Sequence, residues 1–146
     1  GKARIFDSAD PTGGDKDLGS PNQSCEGGGP GFGFGGKPGK RGENCNPLGK
    51  LLIIQESKKD SPDDHWKGGT FTFTSTGGTE MTYLNIGVID ADYTEITLDH
   101  SVKFDGVGDN GFQELENPNP NVFATSFDVT FPGSAGIALL VSTYTS

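Results

Sequence analysis

The sequence is short of the residues on which many folds and most enzymes rely. Its 146 residues include one Met, one Trp, two His and two Cys, and the apolar share is only 31%. No apolar run approaches the roughly 20 residues that a membrane-spanning helix needs, so membrane insertion is not expected. Two His and two Cys do not make the Cys/His cluster that holds structural zinc. Neither His65 nor His100 has a Cys or Ser spaced as a nucleophile–base pair, and catalysis is not expected. Positive charge is scarce too, with 11 Lys and Arg against 20 Asp and Glu, a net charge of −9. Nucleic acid needs a basic face and is not an expected partner. The same balance argues against anionic membrane surfaces. Helical periodicity is missing throughout.

What the chain has in abundance is Gly, with 24 residues, together with nine Pro and many Asp. The apolar residues concentrate after residue 50, in short runs bounded by turn-formers. Ala3 to Asp7 reads as a first strand, and Leu51-Leu52-Ile53-Ile54-Gln55-Glu56 as a buried one. Thr70 to Thr74 alternates with period two. Met81 to Ile89 follows, with Tyr83, Asn85, Gly87 and Ile89 expected on one face and Leu84, Ile86 and Val88 on the other. Glu95 to Leu98 and Val102 to Phe104 read as a hairpin pair. Phe112 to Leu115, Phe127 to Phe131 and Gly136 to Tyr144 complete the set. Eight or nine short strands at this spacing predict an all-β antiparallel β-sandwich, jelly-roll-like, with an immunoglobulin-like sandwich as the second choice. One domain is expected over residues 1–146. The chain opens on Gly1 without a leader, and so reads as a processed protein, a fragment or an excised domain.

Cys25 and Cys45 flank a Gly-rich segment and are expected to pair, closing a loop over 25–45. Such a bridge is worth roughly 3 kcal/mol by loop entropy. It points to an oxidising, extracellular setting. The Gly-rich stretch 27–36 is no phosphate cradle, since it lacks Gly-Lys-Ser/Thr. Residues 36–44 form three Gly-X-Y triplets, too few for a collagen helix, and read as an extended loop. Phe32 and Phe34 are expected to pack back on the domain or against a neighbouring subunit. Asn22-Gln23-Ser24 is an N-glycosylation sequon.

The acidic residues recur at strand ends: Asp7 with Asp15 and Asp17, Glu56 with Asp63 and Asp64, Asp90 with Asp92, and Asp109. Calcium takes six to eight hard oxygens from carboxylates, carbonyls and water, and loops rich in Asp, Gly and Pro supply them. Strand ends of a sandwich gather at two poles, where distant segments can meet. The expected cofactor is therefore Ca²⁺, held by a set drawn from Asp7, Asp15, Asp17, Glu56, Asp64, Asp90 and Asp92. A solvated acidic surface is the competing account of each residue singly. The EF-hand loop pattern is absent.

The blocks Ile-Phe-Asp-Ser, Pro-Thr-Gly-Gly-Asp-Lys-Asp-Leu-Gly, Leu-Leu-Ile-Ile-Gln-Glu, Ser-Pro-Asp-Asp and Asn-Ile-Gly-Val-Ile-Asp-Ala-Asp carry a resemblance. In that order they resemble secreted β-sandwich domains of bacteria and algae, which in bacteria often belong to surface proteins with a PEP-CTERM-type sorting anchor. The resemblance implies an extracellular location and a jelly-roll-like fold. It also implies a shared metal site at the acidic blocks Asp15, Asp17, Glu56, Asp63, Asp64, Asp90 and Asp92. The chain departs from the pattern in lacking an anchor helix and in carrying the cystine-bounded insertion.

The function expected from these readings is structural: a calcium-stabilised subunit or module of an extracellular matrix, filament or adhesive surface layer, with self-association. A carbohydrate-binding, lectin-like module is the alternative, with polysaccharide as partner and Trp66 and Tyr93 as the glycan contacts. A polysaccharide-active enzyme ranks third.

Overall fold

The computed structural model describes residues 2–56, 59–91, 95–99 and 102–145. Nine strands form in chain order: β1 (Ala3–Asp7), β2 (Lys50–Ile54), β3 (Gly69–Thr74), β4 (Met81–Ile89), β5 (Ile96–Leu98), β6 (Val102–Phe104), β7 (Phe112–Glu116), β8 (Ser126–Phe131) and β9 (Gly136–Tyr144). One sheet has the order β1-β2-β9-β4-β7 and the other β3-β8-β5-β6, and all neighbours are antiparallel. The expected all-β sandwich is therefore present. From β2 onward the pairs are β2 with β9, β3 with β8, β4 with β7 and β5 with β6. These are the pairings of one long ribbon of strands folded at its middle and rolled up.

Period-two alternation sorts the apolar residues into two cores. Between the sheets lie Ile86, Val88 and Ile137 from the first sheet and Phe71, Ile96, Leu98, Val129 and Phe131 from the second. The opposite face of the first sheet carries Leu51, Ile53 and Ile89, and these are fully buried as well. They are covered by the long connection between β1 and β2. Leu18 and Leu48 of that connection pack on them beside Phe6. The Gly- and Pro-rich segment is thus a third layer with its own apolar anchor. Full burial of a Leu, Ile or Phe side chain is worth about 1.5–3 kcal/mol, so this second core is a substantial hold on the layer.

Two local expectations need correction, and a third, for Phe32 and Phe34, is narrowed to the neighbouring-subunit alternative. Simple alternation along β4 put Leu84 with Ile86 and Val88, but Tyr83 is the residue in that core, and Leu84 is 37% exposed. The cause is an irregularity between Tyr83 and Asn85 in the pairing with β9, which reverses the alternation. Residues 36–44 are not extended. Three i to i+3 backbone bonds run in succession, Lys37 N to Phe34 O, Lys40 N to Lys37 O and Glu43 N to Lys40 O, so the segment is a chain of tight turns. Phe32 and Phe34 do not pack back on the domain; they are 57% and 63% exposed. The Lys40 ammonium sits 3.9 Å from the Phe34 ring centre.

The expected disulfide is present, with Cys25 and Cys45 bonded and their Cα atoms 5.5 Å apart. Among the described residues, no helix is long and apolar enough to cross a membrane.

Candidate metal centre

The third layer begins with tight turns. Gly13 and Gly14 both have left-handed φ, +66° and +80°, a backbone that costs a side-chain-bearing residue energy. Asp15 then leads into a single 3-10 turn over Lys16–Leu18. Leu18 plugs into the outer core and fixes this turn, and the turn sets Asp15 and Asp17 on either side of it.

Asp15 meets Asp63 and Asp64, which arrive from the connection after β2. One carboxylate oxygen of each lies within 4.8 Å of those of the other two. The connection is tied down from several directions. Gln55 and Asp64 form an antiparallel bridge, and Asp63 N donates to Gln55 Oε1 at 3.1 Å. Thr12 Oγ1 donates to Pro62 O at 2.6 Å, and Asp64 N to Asp15 Oδ2 at 3.0 Å. Gly13 matters here for space as well as φ: a Cβ on it would stand 2.7 Å from Asp63 Cβ.

Asp64 is 7% exposed, and its Oδ2 is buried with no hydrogen-bond partner. A buried carboxylate oxygen without a donor is costly unless a proton or a cation satisfies it. Burial pushes the Asp15 carboxyl up to about 9, and the charge of Asp64 and contact with Asp63 add to that. Burial likewise pushes Asp64 up to about 7, with the charges of Asp17 and Asp63 raising it further and contacts with Asp15 and Ser134 opposing. Asp15 and Asp64 therefore resist being ionised together, and such a pair either keeps a proton at neutral pH or exchanges it for a cation. The donors are all hard oxygens, which suits Ca²⁺ or Mg²⁺ rather than a thiophilic metal.

A second group lies across the 3-10 turn, where Asp17, Asp90 and Asp109 also bring carboxylate oxygens within 4.8 Å of one another. Asp90 ends β4 with φ 64° and is 2% exposed, and its Oδ1 accepts from Asn110 N at 2.8 Å. Asp17 Oδ1 is buried without a hydrogen-bond partner. The charge of Asp17 is felt at Asp64, so the two groups are electrically adjacent.

Of the seven expected ligands, Asp15 and Asp64 fall in the first group and Asp17 and Asp90 in the second. Asp7 belongs to neither. It pairs with Lys50 at 3.1 Å and accepts from Ala9 N, and the Lys50 contact holds its carboxyl below the usual range. Glu56 also stands outside both groups; its N donates to Asp63 O at 2.7 Å. Asp92 lies outside the described residues. The seven-residue set omitted Asp63 and Asp109, although both belong to the acidic strand-end clusters. Only the folding of separate loops shows that they complete the groups.

The sequence also hid a buried amide network. Asn22, Asn44 and Asn110 are 1%, 2% and 0% exposed. Asn110 Nδ2 donates to Asp17 O and Gly19 O, Asn44 Nδ2 to Gly19 O and Asn110 O, and Asn22 Nδ2 to Gly33 O and Asn110 Oδ1. These bonds clamp the third layer to the turn that ends at Gly111 and hold Asp17 next to Asp90. They also correct the sequon: the Asn22 amide nitrogen is buried and committed, so the folded chain leaves no room for a glycan on it.

Trp66 is 68% exposed, with the Lys67 ammonium 5.1 Å from its ring centre. Tyr93 lies outside the described residues. No family model, curated protein or solved structure matches the chain. The resemblance to secreted surface domains thus rests on the quoted sequence blocks alone.

Proposed function

We propose that the chain is a structural module of an extracellular matrix, filament or adhesive surface layer, wound as a jelly roll and stabilised by calcium. The observation that carries the proposal is the buried oxygen of Asp64, without a hydrogen-bond donor, on a carboxylate grouped within 4.8 Å of those of Asp15 and Asp63. A cation there would join the third layer to the connection after β2, and so would serve architecture rather than turnover. The disulfide is compatible with secretion and braces the same layer. The rolled-ribbon pairing supports the jelly-roll reading. The module is read as non-enzymatic, with hard-oxygen groups spent on holding loops.

Sedimentation and electron microscopy of the protein in calcium and in EDTA test the role. Self-associated material that loosens in EDTA is expected. A monomer in both conditions that is retained on a polysaccharide column would overturn the proposal in favour of a lectin-like module. That second reading draws on the exposure of Trp66, an aromatic ring free to stack on a sugar. Trp66→Ala would abolish retention if it holds.

A further inference from the structure

The first sheet is one strand short over half its width. On one side, β9 is paired with β4 along its whole length, from Gly136 opposite Ile89 to Tyr144 opposite Met81. On the other side, β2 reaches it only at Ile137 and Gly136, opposite Leu52 and Ile53. Just before β2 the chain turns away at Gly49, with φ +70°, into the third layer. There Gly49 O accepts from Ser8 N, and Leu48 N donates to Ser20 Oγ. From Leu139 to Tyr144, therefore, no strand lies along this side of β9 among the described residues.

In the facing sheet β3 is also an edge, bonded among the described residues to β8 alone. Between the two open edges is a cavity of about 490 Å³, with Phe73, Met81, Phe127, Leu140 and Tyr144 among its lining residues. Leu139 is 43% exposed and Tyr144 58%.

Natural sheets guard their edges with charge, proline or bulges. Three other edges of this sandwich follow that rule: β1 carries Arg4 and Asp7, β6 carries Lys103, and β7 carries Glu114 and Glu116, whereas β3, Gly69–Thr74, is uncharged like β9. Leu139-Leu140-Val141-Ser142-Thr143-Tyr144 has neither a charge nor a proline. In a chain of net charge −9, two copies repel over much of their surface. This neutral strip lets a second copy approach without setting like charges together, and unlike β3 it already belongs to the larger, five-stranded sheet.

We propose that a second copy of this chain seats its own β9 edge here, antiparallel, about a two-fold axis near Val141. The two five-stranded sheets then run on as one sheet of ten strands. Leu139 of one copy faces Thr143 of the other, Leu140 faces Ser142, and Val141 faces its own counterpart. Every such pair is uncharged, and most include a β-branched or large apolar side chain, which suits cross-strand contact. A two-fold contact closes on itself, so the unit it makes is a dimer, and growth beyond two copies has to use another surface. The inference rests on the self-association reading above and names the surface that would carry it.

The test uses the whole chain. Both native cysteines are in the disulfide, so Val141→Cys introduces the only free thiol. Under mild oxidation it should form a disulfide-linked dimer that a reductant reverses. Leu139→Lys/Thr143→Lys places lysines opposite lysines only in the dimer. It should sediment as a monomer at concentrations where the unmodified chain is a dimer, with at least about tenfold weaker association, and should melt as the unmodified monomer does. If the chain dimerises but the cysteine variant does not link or the lysines change nothing, this interface is wrong and self-association stands through another surface. If Val141→Cys links instead to Thr72→Cys in a mixture of the two, the partner edge is β3 and the two-fold pairing is overturned. A chain that stays monomeric to about 100 µM overturns the interface and the self-association reading together.

Discussion

Calcium should raise the melting temperature, and the size of the rise can be worked out. A ligand that binds only the native state stabilises it by about 2.7 kcal/mol at a hundredfold excess over Kd, and by about half that at tenfold. Extracellular calcium modules bind with Kd of roughly 0.1–1 mM, so about 10 mM calcium gives an excess of about ten- to a hundredfold. At about 2.1 cal/mol/K per residue, a chain of this length unfolds with an entropy of about 0.3 kcal/mol/K. The expected rise from EDTA to about 10 mM calcium is therefore about 5–9 °C. Scanning calorimetry with the disulfide intact reads it directly. Asp64→Asn separates a cation site from an acidic surface because its two effects have opposite signs. The variant loses a ligand and should lose the calcium shift. In EDTA at about pH 8 it should melt above the unmodified chain, because a buried charge facing those of Asp17 and Asp63 is gone. Equal melting temperatures in EDTA and calcium would refute the reasoning, and so would an Asp64→Asn variant that kept the full shift.

Acid should stabilise the metal-free chain. Asp15 and Asp64 are raised to about 9 and about 7 from 3.8, so between those values the native state holds more protons than the unfolded one, and stability falls as pH rises from about 4 to 9. Denaturant titrations in EDTA at about pH 5 and about pH 8 should show the higher midpoint at pH 5; the calcium shift should run the other way, growing with pH. Gly13→Ala places a Cβ in a left-handed residue against Asp63 and should cost about 1–3 kcal/mol while weakening calcium binding, as calorimetry would show. Leu18→Ala empties the outer core under the 3-10 turn and should cost about 2–5 kcal/mol, with calcium affinity falling in step; unchanged affinity would detach the turn from the site. Reducing Cys25–Cys45 should lower stability by roughly 3 kcal/mol and speed proteolysis within residues 25–45.

The strands were legible because each is a short alternating or fully apolar run stopped by turn chemistry. Met81 to Ile89 and Gly136 to Tyr144 match their expected bounds, and the 96–104 hairpin forms as read. Leu84 was misplaced because a bulge in the pairing with β9 leaves no mark in β4's own pattern. The third layer was harder to see. Its apolar anchors, Leu18 and Leu48, are single residues in a polar context and give no period to read. Asn22, Asn44 and Asn110 look like loop residues, and only their convergence from positions up to 88 apart makes them a buried clamp.

By itself, then, the sequence determined the class of fold, the disulfide and the supply of hard oxygen donors, since each depends on residue type and short-range spacing. The tertiary structure alone decided which carboxylates meet. Asp15 and Asp17 are two residues apart, yet a 3-10 turn anchored by Leu18 sends them to different groups. Asp7 is taken by Lys50 across the β1–β2 pair. A metal site depends on distances between segments remote in sequence, and packing sets those distances. The open edge of β9 has the same origin: its residues read as an ordinary strand, and only the early departure of β2 leaves the side away from β4 without a strand among the described residues.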